Sequence, residues 1–172
     1  MDNTVPSREL PGYPWSSSLF WWVWGGLLVA ILGLTMAKDL YLTGEQPQLL
    51  FYLTVPLVSI LGSTLGGWGI ARLLQETIGF ADMLAVSLIT AVLGQVFENA
   101  GKLTWHLVWE YPGWLYLLLV LGLGLLVPAY CLICWPRMRW PLALIVALGM
   151  FLGELLLVLA FTAVTGISTP GS

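Results

Sequence analysis

The sequence predicts an all-α, polytopic transmembrane helical bundle of about five membrane spans. Three observations predict it. Only 9% of the 172 residues are charged and 59% are hydrophobic, whereas soluble domains carry roughly 25% charged residues. Apolar runs of about 20 residues, the length that crosses a hydrocarbon core, recur between short polar or proline-containing segments. Most of the 10 tryptophans gather near the ends of those runs, where an interfacial aromatic belt sits.

The length allows one domain, a transmembrane unit over 19–165 between tails at 1–18 and 166–172. The first tail holds Pro6, Pro11, Pro14, Gly12 and a serine run, so it is expected to be irregular and flexible, with Trp15 near the interface. The first span, 19–37, opens Leu19-Phe20-Trp21-Trp22-Val23-Trp24. Gly26, Ala30, Gly33 and Ala37 give it small residues for close helix contact. Lys38-Asp39 follow at once and no small-residue cleavage site is evident, so this span reads as a retained helix, not a signal peptide.

A polar loop over 38–48 leads to the second span, 49–71. Pro56 is a kink point there, and Gly62, Gly66, Gly67 and Gly69 suit tight packing. Arg72 ends it, and 73–82 is short and amphipathic. The third span is expected over 83–111. Its purely apolar part is too short to cross, so it must take Glu98, Asn99 and Lys102 into the membrane. Pro112 stops it by disfavouring helical geometry in the preceding residue. The fourth span is 114–135, Pro136-Arg137-Met138-Arg139 makes a turn, and the fifth is 140–165, with Glu154 just past its midpoint. The tail 166–172 is polar and flexible.

Positive charge sets orientation. With the N-terminus inside, Arg8, Arg72, Arg137 and Arg139 lie inside while Lys38 and Lys102 lie outside. The bias favours that arrangement in a plasma or inner membrane. A net charge of −3 leaves no basic footprint, so no nucleic-acid partner is expected. The expected partners are the lipid bilayer, a small molecule or lipid, and a membrane-protein partner or a second copy of the chain.

Chemistry concentrates in two places. Glu98, Lys102, His106 and Glu110 fall four apart and form a slowly winding stripe on a helix. Asn99 joins it, and Trp105 and Trp109 stand beside it, able to wall a pocket for a cation, a flat ligand or a lipid headgroup. The plain alternative is a helix end emerging from lipid, its charges solvated and its tryptophans part of the belt. The second place is Glu154, among Gly153, Leu155, Leu156 and Leu157. A charge at the bilayer centre costs about 2.5–3.5 kcal/mol on insertion scales. Glu154 is therefore expected to be neutralised by a proton or by a cation, with Lys102, His106 and Arg72 as candidates. Its plain alternative is a neutral group bonding between helices.

His106 is the only histidine. One histidine with scattered carboxylates makes a poor metal set, so no metal and no cofactor are expected. Cys131-Leu132-Ile133-Cys134 lacks the second cysteine pair that membrane thiol oxidases carry, and it reads as two buried cysteines.

The functional expectation is a non-enzymatic membrane protein. It binds a polar or charged small molecule, or a lipid headgroup, through Glu98, Asn99, Lys102, Trp105, His106, Trp109 and Glu154, at the outer ends of the third and fifth helices. It would serve transport or a larger membrane assembly. Two alternatives stand beside it. One is an intramembrane acid–base enzyme, an isomerase or cyclase of isoprenoid-like lipids, with Glu154 or Glu98 as proton donor and His106 or the other carboxylate as acceptor. The other is an accessory structural subunit.

Overall fold

The computed structural model describes residues 14–43, 49–108 and 113–166. Among them are five long helices and no strand: α1 (Ser18–Thr43), α2 (Leu49–Leu73), α3 (Phe80–Val108), α4 (Gly113–Cys134) and α5 (Trp140–Thr165). A single 3-10 turn, Pro14–Ser16, precedes them. Helices α1, α2, α3 and α5 are long and apolar enough to cross a membrane, and α4 is a 22-residue helix of apolar sequence. These segments are compatible with membrane embedding. Pro6, Pro11, Gly12, Trp109, Glu110 and Pro112 lie outside the described residues.

Side-chain pairs fix the relative directions of the helices. Ser63 meets Ser87 and Trp68 meets Phe80, so α2 and α3 run antiparallel. Gly62 faces Gly153 and Gly66 faces Gly149, so α2 and α5 are antiparallel as well. Trp15 reaches Asp82 while Lys38 reaches Asn99, so α1 and α3 are parallel. The starts of α1, α3 and α5 and the ends of α2 and α4 therefore share one end of the bundle. Arg72, Arg137 and Arg139 lie there, and it is called the arginine end below. Lys38 and Asn99 lie towards the opposite, lysine end.

Among the described residues, the largest interface joins α2 to α5, helices far apart in sequence. Glycine explains it. A Cβ added at Gly62 would sit 2.7 Å from the Gly153 carbonyl oxygen. One added at Gly66 would strike the Gly149 carbonyl, and one at Gly153 would strike the Gly62 carbonyl. Two small-xxx-small faces, Gly62/Gly66 and Gly149/Gly153, thus meet backbone to backbone, which is how apolar helices associate when lipid removes the hydrophobic drive between them. The sequence reading singled out the α2 face and missed its partner on α5, although the four-residue spacing was visible. By contrast, the small residues of α1 face outward: nothing lies within 4 Å of a Cβ built at Gly26 or Gly33.

The core sits where α2, α3, α4 and α5 come together, around Met83, Val86, Leu132, Val146 and Met150. Between α2 and α3, the Ser87 hydroxyl donates to the Ser63 hydroxyl at 3.3 Å, both buried. Such an interhelical bond contributes about 0.6 kcal/mol on average in membrane proteins.

Local signals explain most helix ends. Helix α2 stops in a Schellman motif: the Gln75 amide donates to the Arg72 carbonyl at 3.0 Å and the Glu76 amide to the Ala71 carbonyl at 2.9 Å. Gln75 takes the left-handed position with φ 59, where glycine is the unstrained choice. Gln75→Gly is therefore expected to stabilise the protein by about 1 kcal/mol, read as a higher midpoint in a detergent unfolding titration. Helix α5 ends on Gly166, φ 66, whose amide donates to the Thr162 carbonyl at 2.9 Å.

The first tail is not wholly irregular. Trp15 is buried, 5% exposed. Its indole N–H donates to Asp82 Oδ1 at 2.6 Å, and its ring stands edge-on to Trp135 with centroids 5.3 Å apart. The Trp21 indole donates to the Trp15 carbonyl at 2.9 Å. The tail thus folds back here, and Trp15 packs between the start of α3 and the end of α4. A buried indole needs an acceptor for its N–H, and Asp82 supplies one. The other Asp82 oxygen accepts the Gly79 amide at 2.8 Å, capping α3.

Candidate functional site

Glu154 stands at the glycine crossing. It follows Gly153 on α5 and is half-buried, and the Ser59 hydroxyl on α2 donates to its Oε1. Ser59 lies one turn before Gly62. The backbone-to-backbone approach is what brings so short a side chain within reach. A small apolar cleft lined by Gly62, Gly66, Gly153 and Leu157 adjoins this pair. The described partner of the carboxyl group is thus a neutral hydroxyl. Among the expected cations, Arg72 is exposed at the arginine end, with its guanidinium 5.3 Å from the Trp68 ring centroid. The side chains of Lys102 and His106 lie outside the described residues.

A second polar group lies in the α1–α3 seam. Lys38 Nζ donates to Asn99 Oδ1 at 3.0 Å. Asn99 Nδ2 donates to Thr35 Oγ1 at 2.8 Å and to the Gln95 carbonyl at 2.9 Å. Thr35 is 8% exposed and donates in turn to the Ile31 carbonyl at 2.9 Å. Thr35 and Lys38 are three apart, so both fall on the α1 face turned to α3. In sequence, Lys38-Asp39 on α1 and Glu98-Asn99 on α3 interrupt the apolar runs at this level, although the helices continue to Thr43 and Val108. The cluster thus marks the boundary where apolar surface gives way to polar residues.

Of the residues expected to form the site, the structure places Asn99 and Glu154 in different seams. Asn99 bonds to α1 and Glu154 to α2. Backbones at Glu98, Lys102, Trp105 and His106 continue the α3 helix, but their side chains, and Trp109 altogether, fall outside the described residues. The sequence reading missed Thr35, Lys38 and Ser59 as site members. A lysine three residues after a threonine at the end of an apolar helix was the available signal for the first two.

No group of three or more histidine, cysteine, aspartate or glutamate residues able to hold a metal occurs among the described residues. The cysteine pair was read as wholly buried. Cys131 is buried and lines an apolar groove, but Cys134 is exposed, and both are free. Three helical steps turn the second thiol about 60° from the first, enough to carry it off the packed face.

No protein-family model, curated protein or solved structure matches the chain.

Proposed function

We propose that this chain is a non-enzymatic integral membrane protein that binds a polar or charged small molecule, or a lipid headgroup, at the lysine end of the α1–α3 seam. One observation carries the reading: the Lys38 ammonium is held 3.0 Å from Asn99 at the level where both helices lose their apolar character. A lysine near the end of a span is free to extend into interfacial water, so an ammonium turned instead to an amide of the neighbouring helix marks a built polar site. In sequence, Glu98, Lys102, Trp105 and His106 surround and follow Asn99, with Trp109 and Glu110 just beyond. Such a stretch supplies charge, hydrogen-bond donors and aromatic walls together. The binding would serve transport or a larger assembly. Placing the arginine end inside a plasma or inner membrane turns this site to the exterior.

Glu154 is, on this reading, a separate polar anchor between α2 and α5. The acid–base alternative needs donor and acceptor at one cavity, and among the described residues neither the apolar groove nor the small cleft is lined by a carboxylate or histidine.

Native mass spectrometry of protein extracted in mild detergent tests the proposal. The wild-type protein is expected to carry a bound small molecule or lipid. Lys38→Met should lose at least nine-tenths of that adduct, whereas Glu154→Gln should keep it. An adduct indifferent to Lys38, or absent from wild type, refutes the site.

A further inference from the structure

We propose that the groove beside α4 holds one acyl chain of an anionic phospholipid, with the lipid phosphate at Arg137 and Arg139. This site lies at the arginine end and does not depend on the function assigned to the lysine end.

The groove encloses about 780 Å³, within the range of roughly 300–1,000 Å³ that holds small ligands. Trp24 and Leu93 form its floor. Leu126, Tyr130 and Ile133 form its lip; they are spaced as one helical face and are all exposed. Trp140 stands at its mouth, also exposed. The wall presents almost no polar surface, so its natural occupant is hydrocarbon.

Depth and charge choose among hydrocarbon occupants. On α4 the lining runs from Leu126 to Ile133, a rise of about 10 Å at 1.5 Å per residue, within one half of a hydrocarbon core of about 30 Å. That matches the chains of one leaflet. A partner helix crossing the membrane would need a face along the whole core. The mouth of the groove is the turn between α4 and α5. Met138 is 6% exposed and its amide donates to the Leu132 carbonyl at 3.1 Å, which anchors the turn inward. Arg137 and Arg139 stand exposed on either side of it. Arg137 keeps φ 55, a left-handed backbone that costs a non-glycine residue. Helix α5 begins directly afterwards, with no side-chain cap on its first turn, and a helix N-terminus favours an anion. At the same end, Asp82 is already engaged by Trp15 and Gly79. Two cations over a one-leaflet apolar slot complement a phosphate carrying an acyl chain.

The test uses the full chain in nanodiscs of equal phosphatidylglycerol and phosphatidylcholine with identical acyl chains, followed by native mass spectrometry. Wild type is expected to retain phosphatidylglycerol over phosphatidylcholine by roughly tenfold or more. Arg137→Gln with Arg139→Gln should bring that ratio near one while chains are still retained. Leu126→Trp with Ile133→Trp should fill the lip and lower retention of both lipids. Should that variant fail to fold, a phosphatidylglycerol with a photoreactive acyl chain replaces it on wild type, with adducts expected at Tyr130, Ile133 and Trp140. Equal retention of the two lipids, a preference untouched by the arginine substitutions, adducts spread over outer positions such as Leu155 and Leu156, or a co-purifying protein covering Tyr130 and Ile133 would each overturn the proposal.

Discussion

Gly66→Val is expected to destabilise the bundle by about 3 kcal/mol, the upper end of overpacking costs, or to prevent folding. At Gly66 a Cβ meets the Gly149 carbonyl and lies 2.9 Å from Gly153 Cα. The obstacles are backbone atoms, which cannot rotate away as a side chain would, so α2 and α5 must separate. Separation also pulls Ser59 from Glu154, leaving a carboxyl group in an apolar seam without its partner. The matched control is Gly26→Val on α1, where a Cβ meets nothing within 4 Å. Its effect should stay within about 0.5 kcal/mol. Unfolding titration in mixed micelles reads both. Equal losses at the two positions would mean that the glycine crossing does not hold the bundle together.

Trp15→Ala is expected to cost about 3–5 kcal/mol, as large-to-small changes at buried tryptophans do. The substitution opens a hole beside Phe20 and Trp135 and removes the donor to Asp82. Trp15→Phe separates the two contributions. It keeps most of the ring volume but lacks the N–H, so it should cost about 1.5–3 kcal/mol, the range for hydrogen bonds to charged groups. A loss below about 1 kcal/mol for the alanine variant would place Trp15 outside the folded unit.

These two residues also show where sequence reading succeeds and where it stops. Apolar run length and the punctuation by Pro136 and Gly166 located α4 and α5 closely, because those signals are local. Helix α1 runs on to Thr43 instead of ending near 37. Nothing in Lys38-Asp39-Leu40-Tyr41 breaks a helix, and Asn99 satisfies the ammonium that seemed to mark a stop. Helix α3 begins at Phe80, before the expected start near 83, because Asp82 caps it through Gly79. Burial of Trp15 depends on a carboxylate 67 residues away, and no pattern near three prolines announces it. The same limit governs the site. Glu154 and the α3 stripe were legible as costly polar groups in apolar surroundings. Their partners were not, because the pairing of α2 with α5 and of α1 with α3 is set by which faces are smallest and most complementary across the bundle. A hydroxyl such as Ser59 carries no charge to betray its role.

Binding at the lysine end requires α1 and α3 to bring Thr35, Lys38 and Asn99 together in the bilayer. Pairwise cysteine cross-linking in native membranes measures this directly, with Cys131 and Cys134 first replaced by alanine. Thr35→Cys with Asn99→Cys should join efficiently through a short thiol-specific linker, while Thr35→Cys with Glu154→Cys should not. Failure of the first pair, or equal joining of both, would contradict the seam and the binding site built on it.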